Sequence, residues 1–91
     1  MYKPERLSKE IIKAMYSLKD QIVELDDFFL NFIQVDVSQD SKNVTCYYRT
    51  SEENKSDLKL YFYKHTPYIR HLLLNIIKMR RFPSIRFVYQ K

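Results

Sequence analysis

The chain has 91 residues, 45% of them apolar, 15% aromatic and 30% charged, which describes one soluble globular domain with a thin core. It has no glycine and one cysteine, Cys46. That excludes the glycine-dependent phosphate loops of P-loop and Rossmann enzymes, internal disulfides and cysteine-rich zinc sites. Sixteen Lys and Arg against eleven acids give a net charge of +5, unevenly spread: residues 1–45 carry six basic and eight acidic side chains, residues 46–91 ten and three.

Residues 4–23 open with Pro4, which suits a first helical turn because its missing N–H has no partner there. Leu7, Ile11, Met15, Leu18 and Ile22 then recur every three or four positions and predict an amphipathic helix. Residues 24–27 read as a loop. Residues 28–37, rich in aromatic and β-branched side chains, predict a strand, with Leu30, Phe32 and Gln34 on one face and Phe29, Asn31 and Ile33 on the other. A polar turn over 38–43 leads into a second strand, 44–50, with Val44, Cys46 and Tyr48 on one side. So short a connection predicts an antiparallel hairpin.

Asn54 or Ser56 offers a helix N-cap. Residues 58–64 fit both strand and helix periodicity, and helix is taken. Pro67 is expected to end or kink that helix at Thr66. Ile69, Leu72, Leu73, Ile76 and Ile77 then mark a second amphipathic helix, with Arg80 and Arg81 near its C-terminus, where cations suit the dipole. Pro83 blocks continuation, and the alternation of residues 84–89 makes a third strand. The order α-β-β-α-α-β folds most simply as an α+β two-layer sandwich, three strands with helices on one face, in a single domain spanning residues 1–91.

From Leu58 onward there is no acid, against Lys59, Lys64, Arg70, Lys78, Arg80, Arg81, Arg86 and Lys91. Such polarity attracts a polyanion, nucleic acid first and an anionic membrane surface second. Lys64, Arg70, Lys78, Arg80, Arg81 and Arg86 are the expected phosphate contacts, with His65 and Tyr68 placed to pack on sugar or base. Tyr47, Tyr61, Tyr63 and Tyr89 could stack on bases or simply extend a small core. Catalytic and metal chemistry has no support. His65 and His71 point to different sides of a helix, Cys46 reads as a core residue without a nucleophile's partners, and Asp26 with Asp27 as solvated loop acids. No cofactor is implied. The N-terminus lacks the apolar core of a signal peptide, and no apolar run approaches the ~20 residues of a membrane span. A cytoplasmic protein without membrane association is expected.

The element order is also that of a type II KH-like domain, and the sequence resembles the ribosome-binding factor A family from about Pro4 to Tyr89. Three stretches carry the resemblance: residues 32–40, ending in Val37-Ser38-Gln39-Asp40; Tyr68-Ile69-Arg70-His71-Leu72-Leu73; and the tail 79–89, with Arg80, Pro83, Ile85 and Phe87. KH domains grip nucleic acid with a GXXG loop. The resemblance implies an interrupted helix instead, placed at His65-Thr66-Pro67, with Pro67 where the family carries glycine. Gln90 stands where the family has aspartate, and the chain stops at Lys91, short of the family's common C-terminal extension. The resemblance further implies a non-enzymatic factor that binds the maturing small (30S) ribosomal subunit and its rRNA, assists late rRNA processing, and is a monomer off the ribosome. A general RNA-binding or ribosomal protein, or a protein–protein adaptor using a tyrosine-rich sheet, are the alternatives.

Overall fold

The computed structural model describes residues 3–22, 25 and 28–91. Helix α1 runs Pro4–Gln21 with Pro4 in its first turn, and Leu7, Ile11, Ala14, Met15 and Leu18 are buried along one face. Ile22 follows as the C-cap and is also buried. The stripe predicted from spacing is therefore the face α1 turns to the sheet. Of the loop expected at 24–27, Leu25 is instead helical and buried; the carboxylate pair Asp26 and Asp27 lies outside the described residues.

Strands β1 (Leu30–Val37) and β2 (Asn43–Thr50) pair antiparallel, from Leu30 opposite Thr50 to Val37 opposite Val44. The pairing slips once, between Phe32 and Gln34, so Ile33 is an extra residue in β1. This bulge changes the phase of alternation: Leu30 and Phe32 are buried before it, Val35 after it, and Gln34 is turned outward. Strict alternation would instead put Gln34 on the face of Leu30 and Phe32. In the connecting turn the Asp40 carboxylate accepts from Ser38 Oγ at 2.6 Å and from the Lys42 N–H at 3.0 Å. The Ser38 bond, then the Lys42 N–H, holds the Asp40 carboxyl below its ordinary pKa.

After a 3₁₀ turn at Glu52–Asn54, helix α2 runs Lys55–Ile77 as one element with Pro67 inside it. This corrects the expectation of a helical pair interrupted at Thr66. Pro67 has no N–H to give the Tyr63 carbonyl, but Thr66 Oγ bonds back to the Phe62 carbonyl, and buried Phe62 and Ile69 anchor the turns on either side. Asn54 is the N-cap residue, without a side-chain capping bond. α2 ends at Ile77, and Lys78 follows in the left-handed region (φ 59°) as the C-cap. Arg80 and Arg81 thus lie beyond the helix rather than in its last turn.

Strand β3 (Ser84–Tyr89) returns parallel to β2, giving a sheet of order β1-β2-β3. The architecture is the expected α+β two-layer arrangement, with helices α1 and α2 packed on the sheet. Leu58, Phe62, Ile69, Leu73 and Ile77 of α2 join the α1 stripe and Val44, Cys46, Tyr48 and Ile85 in one core. At its border the rings of Phe62 and Phe87 stack at 4.3 Å, and Tyr48 lies 4.8 Å from Phe62. Burial pushes the Cys46 thiol up to about 12, so it is an inert core group.

Candidate nucleic-acid interface

The connection from α2 to β3 determines where the cations go. Phe82 and Pro83 are buried in it, and their carbonyls need donors. Arg70, one helical face away on α2, supplies them: its Nε donates to the Pro83 carbonyl at 3.0 Å and its Nη2 to the Phe82 carbonyl. At the start of β3, the Ser84 N–H donates to the Lys42 carbonyl at 3.0 Å. These bonds draw the β1–β2 turn against the α2–β3 connection.

The result is a cavity of about 290 Å³ lined by Ser41, Lys42, Arg70, Arg81, Phe82, Pro83 and Ser84. Three of its lining side chains are cations, two are hydroxyls, and none is acidic. Arg70 keeps N–H groups beyond the two already engaged, since a guanidinium has five. Planar and fixed by the main chain, it is pre-organised to present them to an anion. A phosphate-sized anion meets here charge, hydroxyl donors and a rigid wall.

Of the expected contacts, the structure brings Arg70 and Arg81 into this cavity. Arg86 sits close by: a second cavity, of about 300 Å³, is lined by Asn43, Val44, Thr45, Ser84, Ile85 and Arg86, and so shares Ser84 with the first. Arg86 Nε there donates to Thr45 Oγ at 3.3 Å. Lys78 and Arg80 are exposed beside the α2 terminus. Lys64, His65 and Tyr68 are exposed as well but do not join the cavity. At ~100° per residue, Tyr68 points about 160° away from Arg70 around α2. His65 instead packs its ring 4.5 Å from that of Tyr61. Lys42 was missed in the sequence because it lies in the half of the chain where acids outnumber bases; only the pairing of β2 with β3 brings its turn to Arg81.

Among the described residues no group of three His, Cys, Asp or Glu gathers, and no described helix is long and apolar enough to cross a membrane.

The fold is similar to the crystal structure of ribosome-binding factor A from Thermus thermophilus, with TM-score 0.64 and 19% identity over 94% of this chain and 90% of that one. It is similar also to a solution structure from Thermotoga maritima described as a candidate ribosome binding factor A, with TM-score 0.66 and 20% identity over 97% of this chain and 83% of that one. No curated protein sequence matches. The model of one family, ribosome-binding factor A, matches residues 3–91. By that near-complete match the chain belongs to the ribosome-binding factor A family, a family of ribosome-associated factors and not a known enzyme family.

Proposed function

We propose that this protein is a non-enzymatic assembly factor that docks on the small ribosomal subunit through its rRNA and assists late maturation of that RNA. It does so as a single domain in the cytoplasm, monomeric when off the ribosome. The observation that carries the reading is the convergence of Lys42, Arg70 and Arg81 in one acid-free cavity of a chain that belongs to a ribosome-associated family. Phosphate contact gives affinity without reading sequence. The factor would therefore recognise the shape of a folded rRNA segment, with Lys78, Arg80 and Arg86 extending the contact along the α2–β3 end. Lys64, His65 and Tyr68 would meet a second strand on the other side of α2.

The test is co-sedimentation of the purified protein with small subunits, large subunits and whole ribosomes across a salt series. Binding to free small subunits alone, lost steeply as salt rises, is the expected result. Equal binding to every fraction would reduce the protein to a general RNA binder. Binding indifferent to salt would remove the phosphate contacts from the account.

A further inference from the structure

The two edges of the sheet are finished differently. On β1 three outward main-chain groups are taken by α1. The Ser8 hydroxyl donates to the Val35 carbonyl at 2.6 Å. The Tyr16 hydroxyl donates to the Phe32 carbonyl at 3.2 Å and accepts from the Phe32 N–H at 3.1 Å. The middle of that edge is thus occupied. On β3, the Ser84 N–H reaches the Lys42 carbonyl and the Gln90 N–H reaches the Tyr48 carbonyl, so the even-numbered residues face β2. In a parallel ladder the residues between them, Ile85, Phe87 and Tyr89, then point their N–H and C=O groups away from the sheet.

Alongside this open edge runs a groove of about 520 Å³, lined by α2 residues such as Lys59, Leu60 and Tyr63 and by Ile85, Arg86 and Phe87. Three consecutive strand residues can line one groove only where it reaches the strand's edge, because successive side chains point to opposite faces. The groove is mainly apolar. Its floor is the Phe62–Phe87 stack, and Leu60 and Tyr63 are 52% and 84% exposed on its rim. Two cations line it, Lys59 and Arg86, and no acid.

The geometry points to β3 as a docking edge for an extended peptide segment of a protein partner, one that alternates apolar and acidic residues. Added as a fourth strand, it would pair with Ile85, Phe87 and Tyr89, whose outward groups recur every ~6.6 Å as a strand requires. Its apolar side chains would enter the groove against Leu60, Tyr63 and the Phe87 ring. Its acidic side chains would fall on the opposite face, where Arg86 stands, with Lys59 receiving a flanking acid. A second copy of this chain is disfavoured at the same edge, because Arg86 would meet Arg86 and the chain's net charge of +5 would meet itself. A nucleic-acid strand would find two cations and a mostly apolar wall, and would leave the strand-spaced main-chain groups without matching partners.

The experiment titrates the ¹⁵N-labelled full chain with a synthetic peptide of alternating valine and glutamate, about ten residues long. Controls are a peptide of the same composition with valines and glutamates in separate blocks, and an oligouridylate of equal charge. The alternating peptide is expected to shift the amide resonances of Ile85, Phe87 and Tyr89 and slow their solvent exchange. The exposed double variant Lys59→Glu, Arg86→Glu should keep the spectrum of the folded core and lose at least about tenfold in affinity. Equal binding of the block peptide, shifts at these amides from oligouridylate alone, or no shift at millimolar peptide would each overturn the proposal.

Discussion

The start of β3 and its middle lie a few residues apart yet are built in opposite ways. Around Ser84 the surface is made by two connections held together through main-chain carbonyls, with cations projecting from a frame anchored by the buried Phe82 and Pro83. Around Phe87 it is made by core side chains that continue outward past the sheet edge. The lesson is one of coupling. Charge at the basic end can be changed with little effect on folding, whereas the groove cannot be altered at its floor without altering the core. Arg70 is the exception at the basic end, since it is both part of the frame and part of the charge.

The strongest way to break the comparison is Phe62→Ala. It removes the ring that stacks on Phe87 and packs by Tyr48, and should cost about 3–5 kcal/mol in a urea titration. Next is Lys42→Glu combined with Arg81→Glu. Binding to small subunits should fall roughly ten- to hundredfold and the salt dependence flatten by about two phosphate contacts, with the unfolding midpoint almost unchanged. A large loss of stability there would show that the two regions are not independent. Arg70→Lys sharpens the distinction: it keeps the charge but loses the two-pronged hold on the Phe82 and Pro83 carbonyls. About 1–2 kcal/mol of stability should be lost while subunit binding at low salt changes less than for the double reversal.

Smaller effects follow from the backbone and from pH. Lys78 sits at φ 59°, where a Cβ is unfavourable, so Lys78→Gly should raise stability by about 0.5–1 kcal/mol in the same titration. Cys46 has its thiol pushed up from an ordinary 9.0 to about 12 by burial. Its contribution is therefore complete below pH 9 and is lost as pH rises toward 12. Stability measured across that interval should decline, and Cys46→Ala should flatten part of the decline. Burial also raises the Tyr48 hydroxyl, which adds to the decline in the same direction.

Much of the fold could be read from side-chain period. The α1 stripe, the hairpin and the alternation of β3 are local patterns, and local patterns survive folding. Two features escaped for physical reasons. The bulge at Ile33 adds a residue without disturbing composition, and it is stabilised by Tyr16, a partner from α1 that no local window contains. Pro67 reads as a break because its cost is local, while Phe62 and Ile69, which hold the helix on either side, act through the core. The basic surface was visible as a run lacking acids, but its division around α2 was not. A count of charges has no direction, and Lys42 joins Arg70 and Arg81 only through parallel pairing across the sheet.

The unequal finishing of the sheet's edges also governs self-assembly. Ribbon-like growth by strand addition needs every copy to offer one accepting edge and one donating edge. Here α1 occupies the middle of one of them with Ser8 and Tyr16, which disfavours a second pairing after one at β3. A sheet of three strands can thus keep one edge open for recognition while guarding the middle of the other against polymerisation.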